Sequence, residues 1–97
     1  VTKHRYSAFY GTSLDVLLRA RGIRTVLLTG VATDVCVNAT GFDAFHRGYY
    51  VVLVEDACAA PSTIVHDAAV ETATHAYAVV STADELRRIW DSLPSPL

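Results

Sequence analysis

The sequence predicts an α/β fold with three α/β/α layers, in which helices cover both faces of a parallel, Rossmann-like sheet. Short apolar runs rich in β-branched residues alternate with segments of helical periodicity, which is the pattern of βαβ units. The strand runs carry few polar residues, as expected for strands buried on both faces. Of the 97 residues, 52% are hydrophobic and 19% are charged, below the ~25% charge of an average soluble domain.

The predicted helices have recognisable start and stop signals. Thr12 and Ser13 precede the first helical segment and Gly22 follows it, which are usual residues at a helix start and end. Residues 82–85, Thr-Ala-Asp-Glu, have the spacing of a capping box. The four helices are expected at residues 12–21, 34–47, 61–75 and 82–90.

Three apolar runs between the helices predict strands at residues 25–29, 49–54 and 77–80. Val1-Thr2-Lys3 looks like the last residues of a further strand. Because three strands and a stub make a thin sheet, we expect the chain to lack one or more N-terminal βα units. The α/β domain is expected to span residues 1–92, with residues 93–97 as a tail.

Composition and charge exclude several classes of function. A formal net charge of −2 provides no basic surface for nucleic acid. No apolar run approaches the ~20 residues that cross a bilayer, and no secretory signal is present. Two cysteines do not make a disulfide framework, so we expect a reducing, cytoplasmic setting. The four histidines lack the spacing of a metal site, and we expect neither a metal nor a cofactor.

The most informative segment is residues 29–37, Thr-Gly-Val-Ala-Thr-Asp-Val-Cys-Val, directly after a predicted strand. A turn through Gly30 delivers Cys36 to the first turn of a helix, where unpaired N–H groups and the helix dipole favour a thiolate. A cysteine placed in this way can act as a nucleophile. From the spacing alone, a small buried residue between helix and sheet is an equal alternative.

Other chemically useful residues are expected at the same edge of the sheet. In parallel sheets the working site lies at the carboxyl ends of the strands. Lys3, residues 30–36 and residues 55–56 all fall there. Lys3 is also the only lysine beside seven arginines, as expected if an ammonium is needed at this position, although a surface accident explains it equally well.

Residues 30–37 resemble the nucleophile motif of the isochorismatase-like cysteine hydrolases. This superfamily includes nicotinamidases, N-carbamoylsarcosine amidohydrolases and ureidoacrylate amidohydrolases. Lys3-His4-Arg5-Tyr6-Ser7-Ala8-Phe9 matches the segment that these proteins carry before the motif. Gly48-Tyr49 and Glu55-Asp56-Ala57 match segments that these proteins carry after it. The resemblance extends from about Thr2 to Glu85.

The resemblance implies an Asp–Lys–Cys triad acting on a small-molecule substrate. Cys36 would be the nucleophile, and Lys3 would hold its thiolate by charge. A cis peptide bond is implied between Val31 and Ala32, with the N–H groups of Ala32 and Cys36 facing the developing oxyanion. The family's general base is an aspartate on a strand that would precede Val1, and no position of this chain matches it. Family members often assemble, so a homo-oligomer is expected.

Further residues receive weaker assignments. Arg5, Tyr6 and Phe9 are candidates for substrate binding, with a salt bridge for the arginine and packing for the aromatics as the alternatives. Three aspartates and the second cysteine are not expected in the triad. Asp34 is expected to cap or charge-stabilise a helix start, Asp43 to be solvated, Asp56 to contact substrate or fix a loop, and Cys58 to be an inert residue past the second strand.

The sequence therefore predicts a cysteine hydrolase of a ureido, carbamoyl or amide C–N bond. The Arg5-Tyr6-Ser7 segment is similar to ureidoacrylate-type and carbamoyl-cleaving members. A nicotinamidase, supported by Asp34, is the alternative enzyme. A non-catalytic remnant that serves as a structural or interaction unit is the alternative from another class. A dinucleotide-binding module is disfavoured because residues 29–32 lack the further glycines of that motif.

Overall fold

Residues 1–94 are described by a computed structural model, and residues 95–97, which belong to the predicted tail, lie outside the described residues. Helices and strands alternate along the chain in the predicted order. The elements are α1 (Leu14–Ala20), β1 (Thr25–Val31), a π-helical turn (Thr33–Val37), α2 (Asn38–His46), β2 (Tyr50–Ala59), α3 (Thr63–Ala76), β3 (Val79–Ser81) and α4 (Ala83–Ser92).

The three strands form one parallel sheet in the order β1-β2-β3, which confirms the predicted α/β class. The central strand β2 pairs with β1 from Thr25↔Tyr50 to Leu28↔Leu53. The register then shifts, and pairing resumes at Gly30↔Cys58. The sheet is flanked by helices, and its carboxyl edge leads directly into the π-helical turn.

The core forms where the helices meet the sheet. Ala44 on α2, Leu53 on β2 and Ala73 on α3 are fully buried. Small residues at the helix positions let both helices approach the strands closely. The buried core cluster consists of Phe9, Leu28, Val37, Ala44, Tyr49, Val51, Leu53, Ala73 and Tyr77.

Three strand predictions need correction. Residues 1–3 form no strand, because a strand requires a paired neighbour and the described residues supply none beside them. The second strand does not end at Val54 but continues to Ala59, since its later part pairs with the end of β1. In β1 one face is open, since alternate residues from Thr25 to Val31 are exposed, with Leu27 at 39%, whereas Leu28 on the opposite face is buried.

The helix ends follow the predicted chemistry in part. The Thr82 hydroxyl accepts the Glu85 N–H at 3.2 Å, but the Glu85 carboxylate accepts from the Ser81 hydroxyl, so only half of the capping box forms. The Thr12 hydroxyl accepts the Leu14 N–H, whereas the Ser13 side chain caps nothing. Gly22 has a φ of +68°, which a glycine adopts at low cost. Within residues 1–94 no helix has the length and apolar character needed to cross a membrane.

Candidate active site

A tight turn connects β1 to α2 and carries the sequence motif. The peptide bond between Val31 and Ala32 is cis, as the family resemblance implies. The Ala32 carbonyl accepts the N–H groups of Val35 and Val37, both at 3.1 Å. The predicted helix over residues 34–47 therefore begins as a π-helical turn, and this turn holds the half-buried Cys36.

Lys3 and Cys36 lie together although 33 positions separate them in the sequence. The Lys3 Nζ is 3.9 Å from the Cys36 Sγ and donates to the Arg5 carbonyl at 3.0 Å. A protonated amine at this distance attracts a thiolate more strongly than a thiol. The structure thus places a cation beside the sulfur that the sequence singles out.

A pocket of about 220 Å³ opens beside this pair. Backbone from the end of β1 forms one wall, and the start of α2 forms another. The volume suits a small molecule or one end of a larger one. The lining residues are Lys3, Ala8, Leu28, Thr29, Gly30, Val31, Cys36, Val37 and Thr40.

The three candidate substrate-binding residues have different places. Arg5 and Tyr6 are exposed and, with Lys3 and His4, line a hollow of about 480 Å³. Phe9 is only 4% exposed, and its ring centroid lies 5.8 Å from that of Tyr49 in the core. The structure therefore brings Arg5 and Tyr6 next to Lys3, whereas Phe9 packs in the core and does not line the pocket.

Asp43 and Asp56 are engaged outside the Lys3–Cys36 pair. Asp34 lies in the first turn of the π-helical segment, at the helix start as expected, but its side chain makes no capping hydrogen bond and its buried Oδ1 has no hydrogen-bond partner within residues 1–94. Asp43 pairs with Arg47 at 3.6 Å. The Asp56 Oδ1 accepts the Ala83 N–H at 2.9 Å, so this carboxylate holds the start of α4.

Cys58 lies within β2 opposite Gly30, which corrects its expected position past the strand. Its Sγ donates to the Leu28 carbonyl at 3.8 Å. Burial raises the pKa of the Cys58 thiol above its ordinary value. Cys58 is half-buried, as Cys36 is, but a thiol with a raised pKa is a poor nucleophile at neutral pH because the reactive form is the thiolate.

Two threonines of the site have hydrogen bonds that the sequence does not predict, although Thr33 lies within the motif of residues 30–37. Thr33 is 1% exposed, and its hydroxyl lies 2.8 Å from the Nδ1 of His66 on α3. The Thr40 hydroxyl accepts the Ala8 N–H at 3.0 Å. Neither partner is near in sequence, and only the rule that a buried hydroxyl needs a partner indicates such residues.

The described residues provide no ready metal site. Within residues 1–94 no group of three or more His, Cys, Asp or Glu side chains lies close enough to hold a metal ion. The chemical groups that the structure does bring to the pocket are a thiol, an ammonium, two threonine side chains and the surrounding backbone.

Comparison with known proteins gives relatives that are named as amidohydrolases or amidases. The chain is 41% identical over 95 residues to a ureidoacrylate amidohydrolase, RutB, of Azorhizobium caulinodans, covering 97% of this chain and 42% of that protein. Its fold matches N-carbamoylsarcosine amidase from Thermoplasma acidophilum (TM-score 0.74, 46% identity, 84% of this chain and 46% of that one). It also matches pyrazinamidase/nicotinamidase from Streptococcus mutans (TM-score 0.80, 42% identity, 81% and 44%).

The chain spans less than half the length of each of these proteins. A family model described as the isochorismatase domain matches residues 1–85. This match includes the turn that carries Cys36 and the segment that carries Lys3. The chain accordingly belongs to the isochorismatase domain family.

Proposed function

We propose that this protein hydrolyses a C–N bond of a small molecule, with Cys36 as the nucleophile and Lys3 beside it. The observation that carries the proposal is the 3.9 Å separation of the Lys3 Nζ and the Cys36 Sγ at a pocket of about 220 Å³. Folding has brought a cation to one of two thiols from a distant part of the sequence. That arrangement is typical of an activated cysteine.

The chemistry follows from these groups. The Cys36 thiolate attacks the carbonyl carbon of the substrate and forms a C–S bond. The negative charge then moves to the carbonyl oxygen, where the backbone N–H groups of Ala32 and Cys36 are the proposed donors. When the C–N bond breaks, nitrogen takes a proton and leaves as ammonia or an amine. Water then cleaves the C–S bond of the remaining intermediate, a thiocarbamate from a ureido substrate or a thioester from an amide, and the Cys36 thiol is restored.

The proton that moves from the thiol to the leaving nitrogen needs a carrier. None of Asp34, Asp43 and Asp56 matches the aspartate that the family uses for this step, and two of them bond elsewhere. We propose that the general base is an aspartate outside these 97 residues. Lys3 then stabilises the thiolate by charge and does not carry the proton.

A ureido or carbamoyl substrate is the preferred class. Relatives named ureidoacrylate amidohydrolase and N-carbamoylsarcosine amidase support it. The exposed Arg5 lines the hollow next to Lys3, where its guanidinium can bind a substrate carboxylate. Tyr6, beside it, offers an exposed ring and hydroxyl to the same molecule.

A nicotinamidase-type amidase is the second candidate, favoured by the fold match to a pyrazinamidase/nicotinamidase. Its substrate has a primary amide on an aromatic ring. The two candidates differ in the charge they need beside the pocket. Arg5→Ala weakens the hydrolysis of a carboxylate-bearing ureido substrate and leaves that of an uncharged aromatic amide unchanged.

The first test compares the alkylation rates of the two cysteines by iodoacetamide at pH 7, read separately by peptide mass. We expect Cys36 to react at least about tenfold faster than Cys58, because the Lys3 Nζ lies 3.9 Å from the Cys36 Sγ whereas desolvation raises the pKa of the Cys58 thiol. Lys3→Met should remove most of the difference. Arg5→Met is the matched control, because it removes a neighbouring cation that does not touch the sulfur.

Equal rates for the two cysteines, or a Lys3→Met chain as reactive as the unmodified one, would contradict the assembled nucleophile. Such a result favours a non-catalytic structural or interaction unit. If Cys36 is activated, ammonia release from ureido and amide substrates is measured on the longest natural polypeptide that contains this chain. Cys36→Ser is the inactive reference for that assay.

A further inference from the structure

Thr40 lies one helical turn after Cys36 and lines the same pocket. Residues four apart on a helix share a face, so both side chains point to the side from which Lys3 approaches. The Thr40 hydroxyl makes no hydrogen bond within its own helix. It accepts the backbone N–H of Ala8, which belongs to a different segment. A threonine in this position links the nucleophile's helix to a different segment.

The segment that Thr40 holds is the one that carries Lys3. Within the described residues, the Ala8–Thr40 bond is the one hydrogen bond that connects the backbone of residues 1–8 to α2. The Ala8 carbonyl accepts the Thr12 hydroxyl, so both polar backbone groups of Ala8 are fixed by threonines. Phe9, the next residue, is buried in the core and anchors the chain there.

Lys3 itself has little else to hold it. Its ammonium donates to the Arg5 carbonyl within the same segment, and its side chain is exposed. The distance from Lys3 to Cys36 therefore depends on where this segment sits against α2. A change of this distance alters the attraction between the ammonium and a thiolate directly.

We infer that Thr40 is a positioning residue, whose hydroxyl sets the separation of Lys3 and Cys36 by holding the Ala8 N–H. The inference rests on the proposed function, because it assumes that Lys3 acts on the thiolate. It assigns to Thr40 a role through Lys3 and no contact with the reacting atoms. The prediction is that loss of the Thr40 hydroxyl lowers the alkylation rate of Cys36 only while Lys3 is present.

The test uses Thr40→Val, which keeps the side-chain shape and removes the hydroxyl, and Thr40→Ser, which keeps the hydroxyl. We expect Thr40→Val to slow Cys36 alkylation at pH 7 at least about threefold relative to Cys58, because a small displacement weakens the lysine's effect. Thr40→Ser should retain most of the Cys36 alkylation rate of the unaltered chain. Thr74→Val is the matched control, since Thr74 bonds only within α3.

A double-mutant comparison separates positioning from general loosening. In the Lys3→Met chain, Thr40→Val should have no further effect on Cys36. Hydrogen exchange of the Ala8 amide gives an independent readout, with protection lost in Thr40→Val and retained in Thr40→Ser.

The outcomes distinguish the inference from the proposal on which it rests. If Lys3→Met leaves the alkylation rate of Cys36 unchanged, the proposed function fails. If Lys3→Met slows Cys36 but Thr40→Val does not, the role of Thr40 alone is overturned. An equal slowing by Thr40→Val with and without Lys3 also overturns it, because the effect would then bypass the lysine.

Discussion

At the scale of single residues, Gly41 lies where α2 passes closest to the ring of Tyr77. A Cβ built on Gly41 would meet atoms of that ring at less than van der Waals contact. The ring has little freedom to move, because the Tyr77 hydroxyl bonds Asn38 at 3.2 Å and Phe42 packs 4.7 Å from it, centroid to centroid. The absence of a side chain at position 41 is therefore a packing requirement.

Gly41→Ala is expected to destabilise the protein although alanine is the better helix former. The gain in helix propensity is about 1 kcal/mol, and overpacking against a fixed ring costs about 1–3 kcal/mol. Urea unfolding followed by circular dichroism measures the balance. In a Tyr77→Leu background, which frees the space, the same substitution should become neutral or stabilising; a stabilising effect in the unaltered chain would refute the prediction.

Tyr77 also makes stability depend on alkaline pH. Burial raises its pKa to about 12 from an ordinary value of 10.0. Because the folded state holds the proton more tightly than the unfolded state, this contribution is complete below pH 10 and is lost as pH rises toward 12. With allowance for solvent screening, we expect a loss of about 1–2 kcal/mol in the free energy of unfolding.

Denaturant titrations at about pH 9, 10 and 11, which bracket the ordinary tyrosine pKa, measure this dependence. Tyr77→Phe removes the titrating group and should reduce the fall in the free energy of unfolding with rising pH. A Tyr77→Phe protein with an unchanged slope would assign the alkaline dependence to other groups.

At the scale of elements, α3 is bonded to the turn that carries Cys36. The Thr33 hydroxyl and the His66 Nδ1 are 2.8 Å apart, and Thr33 is almost completely buried. His66 is half-buried, so the bond contributes the ordinary net value of a hydrogen bond, about 0.5–1.5 kcal/mol. This link therefore holds α3 to the start of the motif.

We expect Thr33→Val to lower the free energy of unfolding by about 0.5–1.5 kcal/mol, because it keeps the shape and removes the hydroxyl. Thr33→Ser should lower it less. His66→Asn, whose amide can replace the Nδ1 position, should retain more stability than His66→Leu. Equal stabilities of the valine and serine variants would show that the bond contributes nothing.

The order of the elements is predictable from the sequence because each strand run and each helix has its own local signal. The length of β2 is not predictable locally: Glu55 and Asp56 are typical of a strand end, but pairing with Gly30 and Val31 extends the strand. The place of Lys3 beside Cys36 follows from the family resemblance and not from sheet topology, since the strand expected at residues 1–3 does not form. The Thr40 and His66 bonds depend on tertiary contact alone.

At the scale of the whole molecule, β1 is an edge strand of the described sheet, and its apolar residues are partly uncovered. Leu27 is 39% exposed on the open face. Unpaired strand edges with apolar neighbours favour association. We expect the 97-residue chain to self-associate with increasing concentration, measured by sedimentation velocity.

Leu27→Lys should reduce this association, because it places a charge on the uncovered strand. Ile64→Lys is the matched control, since Ile64 is an exposed apolar residue on α3, away from the sheet. A chain that stays monomeric at all concentrations would contradict the prediction. If the two lysine substitutions reduce self-association equally, the contact between chains does not lie at β1.

The contact between Lys3 and Cys36 joins parts of the chain that are 33 positions apart and come together in the folded protein. In a newly synthesised or unfolded chain, Cys36 therefore has no cation beside it and reacts as any thiol does. If Lys3 activates Cys36 as proposed, this reactivity is acquired only on folding. The rate at which selective labelling of Cys36 appears during refolding then reports when the contact between Lys3 and Cys36 forms.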